Sequence, residues 1–227
     1  MTSAVRPPQQ RSPGAFVGQV HFQRRDDVIA LVPRPLGRIL DVGCGPGLTG
    51  AALLDLGATE VWGIERDEAL VAEAAQRLTK VVNVDLDRDP CGPLPTSYFD
   101  TLLYADILEH LIDPWRVLRA QTALLAQTGS IVVSIPNVRH LRVVLPLLIK
   151  GRWEYQDEGL LSRGHLRFFT TASMRSMIED AGYRIELQTG TYAPVGRWLK
   201  WLSLHTLDDL VVRQRLFRAT RALRTRQ

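Results

Sequence analysis

The residues best suited to chemistry in this 227-residue sequence are three carboxylates, a glycine-rich turn and a few histidines. Asp41, Glu65 and Asp85 stand 24 and 20 residues apart, each closing a short apolar run. Directly after the first comes Asp41-Val-Gly43-Cys-Gly45-Pro-Gly47, whose glycines let backbone amides approach a ligand closely. Histidine is the natural general base near neutral pH, and five are present: His21, His110, His140, His165 and His205. Cys44 and Cys91 are 47 positions apart with no Cys-x-x-Cys and no Cys/His cluster, which fits a reducing compartment and gives no reason to expect a metal. Cys44 reads as a small residue tolerated in a tight loop.

Elements of two periods must carry these residues. Arg38–Val42 is a strand-like apolar run, Leu48–Leu56 a helix ended by Gly57, and Glu60–Glu65 a second strand. Asp67–Leu78 is helical with Asp67 as N-cap, and Val81–Asp85 makes a third strand. Phe99–Tyr104 is a fourth, Pro114–Ala126 a helix, Ser130–Ile135 a fifth strand, Thr170–Ala181 a helix and Tyr183–Leu187 a late strand. Residues 138–169 fit neither period and read as a helix followed by a loop over the sheet edge. This alternation predicts an α/β fold: a doubly wound, mainly parallel seven-stranded sheet, Rossmann-like, with an antiparallel last strand. Ligands of such sheets bind beyond the carboxyl ends of the strands, where all three carboxylates fall.

A dinucleotide site is disfavoured, because the third glycine of Gly-x-Gly-x-x-Gly would fall at position 48, which is Leu48. Asp41 would also repel a pyrophosphate at the first strand end. A ligand bearing a cation would be stabilised there instead. S-adenosylmethionine carries an ammonium and a sulfonium and no phosphate; its ribose diol suits Glu65, and its adenine suits Asp85 with Leu86. The plain readings are a helix-start carboxylate for Glu65 and a turn residue for Asp85.

In Asp41-Val-Gly-Cys-Gly-Pro-Gly47, Glu65 and Asp85 the sequence resembles the class I S-adenosylmethionine-dependent methyltransferases. In Ala105-Asp-Ile-Leu-Glu-His-Leu111 with Asp113-Pro114, and in Gly164-His-Leu-Arg-Phe-Phe-Thr170 with Ala181-Gly-Tyr183, it is similar to the ubiquinone-biosynthesis-type small-molecule O-methyltransferases. Ser162 and Gly164 depart from the acid and threonine common in that loop. The resemblance implies S-adenosylmethionine as cofactor, bound by Asp41, Gly43, Cys44, Gly45, Gly47, Glu65, Arg66, Asp85, Leu86, Ala105 and Asp106. It implies O-methylation of a small-molecule, lipid-linked or glycan-linked hydroxyl. Position favours His110, just after the fourth strand, and His165, in the loop over the sheet edge, as candidate general bases. The alternatives are N-methylation of a small amine and a non-catalytic binding or scaffold protein of the same fold. An acceptor oxygen needs its proton removed, whereas alignment and water exclusion do the rest. Each histidine also has a structural reading, His110 tying a helix start to the sheet and His165 fixing the loop.

The net charge of +4 is unevenly placed. Met1–Arg25 holds four arginines and no acid, and Gly196–Gln227 holds eight basic residues against Asp208 and Asp209, leaving 16 basic and 22 acidic side chains between them. An acidic body opposes a phosphate-tracking groove, and the turn Tyr104-Ala-Asp-Ile107 is not that of an adenine N-methyltransferase, so nucleic acid is not expected as partner. Residues 1–18 read as a flexible basic arm without a secretory signal, 19–195 as the catalytic domain, and 196–227 as a basic amphipathic extension. In that extension Trp198, Leu199, Trp201 and Leu202 precede an expected helix with Val212, Leu216, Ala219 and Leu223 on one stripe and Arg213, Arg215, Arg218 and Arg224 around it. Two places suit such a helix, an anionic membrane surface or the acidic body itself. The expected location is the cytoplasm or the inner face of a membrane. Oligomeric state is not legible.

Overall fold

The computed structural model describes residues 23–192 and 208–222. Seven strands form one sheet: β1 (Arg38–Val42), β2 (Glu60–Glu65), β3 (Lys80–Asn83), β4 (Phe99–Ala105), β5 (Leu125–Pro136), β6 (Tyr183–Tyr192) and β7 (Val212–Arg221), in the order β3-β2-β1-β4-β5-β7-β6. β1 to β5 pair in parallel, and β7 runs antiparallel to both of its neighbours. The last strand in sequence is thus the antiparallel one, as expected. Helices α1 (Asp26–Ile29), α2 (Leu48–Asp55), α3 (Glu68–Ala74), α4 (Pro114–Gln121), α5 (Leu141–Lys150), α6 (Thr171–Asp180) and α7 (Asp208–Val211) connect or flank them.

Period-two alternation sorts the strand side chains between two cores. Ile39, Val61, Leu103, Val132 and Leu216 pack with Val28 and Leu53 on one face, while Leu40, Val42, Leu102, Tyr104, Ile131 and Phe217 pack with Leu118, Met174 and Ile178 on the other. Strands covered on both faces read as continuous apolar runs, which is why β1 and β4 stand out in the sequence. The helix starts are also chemically marked. Asp67 accepts from the amides of Ala69 and Leu70, Asp113 from that of Arg116 ahead of Pro114, and Thr170 forms a capping box with Ser173.

The structure corrects the C-terminal reading. Residues 212–221 form β7, inserted between β5 and β6, and not an amphipathic helix. Arg215, Leu216 and Phe217 are consecutive and all buried, a pattern that a two-sided strand allows and a surface helix does not. Of the arginines expected on a polar helix face, Arg213, Arg215 and Arg218 lie in this strand, exposed, buried and half-buried in turn, and Arg224 lies outside the described residues. Arg215 is accommodated in the interior by Asp208, Asp209 and the Thr171 hydroxyl. Residues 212–221 consequently belong to the sheet, which does not end at 195. Residues 1–18, Trp198, Leu199, Trp201 and Leu202 lie outside the described residues. Two smaller shifts are that β5 begins at Leu125, shortening the preceding helix to Gln121, and that β3 ends at Asn83, leaving Asp85 in the turn beyond it.

Candidate active site

The register brings Val42, Glu65, Asn83, Ala105 and Pro136 to one edge of the sheet, with strand order reversing between β1 and β4. The glycine turn leaves β1 at this point. Gly43, Gly45 and Gly47 have φ of 73°, 53° and 82°, and Gly47 is the N-cap of α2. At Gly43 the need for glycine is steric as well, since a Cβ would lie 2.6 Å from the Ile107 side chain. Cys44 fills the space left by Gly63, where a Cβ would stand 2.5 Å from Sγ. Burial, with the charges of Asp41 and Glu65, pushes its thiol far up, so Cys44 packs and does not act as a nucleophile.

Glu65 ties two loops together. One oxygen accepts from the Gly45 amide at 3.0 Å, the other from the amides of Arg66 at 2.8 Å and Asp67 at 3.0 Å. Arg66 lies at this junction, where its carbonyl accepts from Asn83 Nδ2 at 2.9 Å. Asp85 accepts from the Asp87 amide at 3.1 Å and pairs with Arg88 at 3.4 Å, and Leu86 is buried in the core below it.

Asp41 is different. Its side chain is almost wholly enclosed at 2% exposure, and Oδ2 has no hydrogen-bond partner among the described residues. Burial, and then the neighbouring charge of Glu65, raises its pKa to about 7. An orphaned buried carboxylate oxygen costs stability until a donor reaches it, so the end of β1 is suited to a cationic donor on a ligand. This fits the ammonium of S-adenosylmethionine and does not fit a phosphate.

Ala105 and Asp106 follow β4, with Asp106 at φ 58°. The Asp106 carboxylate is already engaged: it pairs with Arg25 and accepts from Ser134 Oγ at 2.9 Å and from Gln214 Nε2 at 3.1 Å. Arg25 also binds Asp27 at 2.9 Å, joining α1, β4, β5 and β7 in one network. Of the expected cofactor residues, Asp106 is therefore held as a structural hub. Arg25 and Gln214 were invisible in the sequence because neither sits near a motif.

Beyond Asp106 lies a cavity of about 620 Å³ lined by Asp106, Glu109, His110, Pro136, Gly159, Leu160, His165, Thr191, Tyr192, Arg213 and Gln214. Both candidate bases line it. A turn of 3₁₀ helix (Leu108–His110) places Glu109 and His110, and the loop after α5 returns to them through amides of Leu166 and Arg167 that donate to the Glu109 carbonyl at 2.8 and 3.0 Å. The rings of His110 and His165 meet edge to face at 4.9 Å. Nδ1 of His110 is 2.9 Å from the Gly164 carbonyl, and Nδ1 of His165 is 3.3 Å from that of Leu160. A carbonyl only accepts, which assigns the ring proton to Nδ1 in both and leaves each Nε2 as a lone pair. Burial lowers the pKa of His110, while burial and then His110 lower that of His165 to about 4.

Glu109 is fully buried, and neither side-chain oxygen has a hydrogen-bond partner among the described residues. Burial and the Asp106 charge raise its pKa well above the carboxylate range. One ligand atom each from Glu109, His110 and His165 lie within 4.8 Å of one another, the geometry of a set that could hold a metal ion.

A model of the methyltransferase domain matches residues 19–188. The chain belongs to the methyltransferase-domain family. Among curated relatives, a "Ubiquinone biosynthesis O-methyltransferase" of Xanthomonas campestris is 35% identical over 59% of this chain and 61% of its own length, and one of Pseudomonas paraeruginosa is 30% identical over 78% of each. The chain thus spans about three fifths of the first of these relatives. Among solved structures, a SAM-dependent methyltransferase from Mesorhizobium loti superposes with a TM-score of 0.62 at 21% identity, covering 86% of this chain and 96% of that one. Fold and family agree on a class I methyltransferase domain whose cofactor is S-adenosylmethionine.

Proposed function

We propose that this methyltransferase domain methylates an oxygen of a small hydroxylated acceptor held in the cavity beside Asp106, with His110 as general base. The observation that carries this reading is the His110 ring, fixed by the Gly164 carbonyl so that an unprotonated Nε2 remains available in a cavity that Asp106, at the end of β4, also lines. When bound, S-adenosylmethionine supplies an electrophilic methyl group on its sulfonium. Asp41 holds the ammonium, the backbone of Gly43–Gly47 gives close approach, and Glu65 sets the spacing between the β1 and β2 loops. His110 Nε2 accepts the hydroxyl proton as the oxygen becomes nucleophilic, which is the step a neutral phenol or alcohol cannot skip. His165 is a poor base with a pKa of about 4, and its contribution is to pack against His110 and hold the loop. Gly159, Leu160, His165 and Tyr192 wall the cavity and limit water.

The names of the curated relatives support oxygen as the accepting atom. The test is transfer of labelled methyl from S-adenosylmethionine to a panel of phenols, polyprenyl phenols, glycans and small amines. Label on a hydroxyl, lost in His110→Ala, is expected; label on amines alone, or undiminished transfer by that variant, contradicts the reading.

A further inference from the structure

Because β7 runs antiparallel to β5, its first residues stand at the carboxyl edge of the sheet, where ligands of this fold bind. Gln214 faces Pro136 in the register, and the Arg213 carbonyl accepts from the Asn137 amide at 2.9 Å, which pins Arg213 where β5 ends. Arg213 lines the same cavity as His110. Two acids line it as well, and neither neutralises the guanidinium. Asp106 is already matched by Arg25, while burial and the Asp106 charge favour the protonated form of Glu109. The acids nearest to Arg213 in sequence are committed elsewhere, Asp208 to Arg215 and Tyr192, and Asp209 to Arg215, Arg139 and Thr171. Arg213 itself makes no hydrogen bond or ion pair through its side chain among the described residues. Its charge is felt across the edge, since burial, then Arg213 and then Arg142, lower the His140 pKa. A guanidinium keeps its charge at any ordinary pH, so one wall of the cavity presents an uncompensated cation.

We propose that the acceptor carries an acidic group besides the hydroxyl to be methylated, a carboxylate or a phosphate, and that Arg213 binds that group. The proposal rests on the O-methylation reading for the hydroxyl and adds the charge that selects the acceptor. The planar fork of N–H donors on Arg213 matches two oxygens of either anion at once, which fixes orientation as well as charge. An acceptor held by its anion at the β7 wall and by its hydroxyl at His110 Nε2 is fixed at two points, which is what in-line transfer demands of a small molecule. A volume of about 620 Å³ is of the size that encloses such a molecule. The same charge selects against a protonated amine, which would meet Arg213 as a like charge, so Arg213 also separates the hydroxyl reading from N-methylation of a small amine.

The test is equilibrium binding to the full chain saturated with S-adenosylhomocysteine, so that no turnover occurs. The probes are a hydroxybenzoate with its uncharged hydroxybenzamide, and a hydroxyphenyl phosphate with the parent dihydroxybenzene. At least one acid should bind about tenfold or more tightly than its neutral counterpart, the worth of a charge-assisted hydrogen bond, and the tighter of the two acids tells a carboxylate acceptor from a phosphorylated one. Arg213→Gln should bring the acid down to the affinity of its neutral counterpart, and Arg213→Lys should restore part of the preference. Thermal midpoint and S-adenosylhomocysteine affinity of the variants report folding. Equal binding of acids and neutral counterparts by the wild type overturns the proposal, as do a preference that Arg213→Gln retains and an absence of binding by both acids. Because the readout is affinity without methyl transfer, its failure is separable from failure of the O-methylation reading, which is judged by where the label arrives.

Discussion

His110 and His165, 55 residues apart in sequence, meet edge to face with ring centroids 4.9 Å apart, and each turns its Nδ1 toward a backbone carbonyl. This pairing divides their roles. His110 keeps the greater basicity, so His110→Ala should lower kcat by about 10² to 10⁴ while leaving cofactor affinity intact. Since burial lowers the His110 pKa, log kcat should rise with pH below about 6.5 and be level at and above neutral pH. A rate still climbing through pH 8, or an undiminished His110→Ala rate, would place the base elsewhere.

His165 predicts a stability effect. Its pKa is near 6.5 unfolded and about 4 folded, so the unfolded chain binds the proton first as pH falls. Stability present above pH 6.5 is lost progressively down to about pH 4, by at most about 3 kcal/mol from this group. Urea midpoints at pH 7 and pH 5 measure it, and His165→Gln should reduce the difference between them.

Asp41 behaves in the opposite sense. Its folded pKa of about 7 exceeds the unfolded value, so the cofactor-free protein loses stability as pH rises through 7, and Asp41→Asn should remove that loss. Binding of an ammonium requires the ionised form, so affinity for S-adenosylmethionine should increase between pH 6 and 8 with release of a proton. Calorimetry in buffers of different ionisation enthalpy detects the release. A pH-independent affinity would mean that Asp41 does not meet the cation.

Arg25 is the partner that keeps Asp106 in place, with help from Ser134 and Gln214. Arg25→Ala leaves a mostly enclosed carboxylate without its cation and should cost about 2 to 4 kcal/mol, read as a lowered denaturant midpoint. Arg25→Lys should recover only part, because one ammonium cannot span Asp27, Asp106 and Gln214 together.

β7 is required for folding. Phe217→Ala, at a fully buried position, should cost about 3 to 5 kcal/mol, and deletion from residue 208 onward should leave an open edge on β5, β6 without a sheet partner and the product insoluble. A soluble, cofactor-binding product of that deletion would contradict the sheet order.

Much of this was legible because it is local. The glycine turn, Glu65 and the Asp67 cap are set by neighbours within a few residues, and β1 and β4 announce themselves as apolar runs. β7 was not legible, since Val212, Leu216 and Ala219 fit a helical stripe equally well and only pairing with β5 and β6 decides between the periods. The Arg25–Asp106 contact joins residues 81 apart and left no local signature. His110 and His165 both read as candidate bases by position, but their unequal basicity depends on burial and on their mutual contact, which spacing does not encode.

The most direct test of the central claim is calorimetric titration of the wild type and Asp41→Asn with S-adenosylmethionine at pH 8. The expected result is saturable binding in the micromolar range by the wild type, with the variant weaker by at least about tenfold, the worth of a charge-assisted hydrogen bond. No heat from the wild type, or equal affinity in the two proteins, would contradict it.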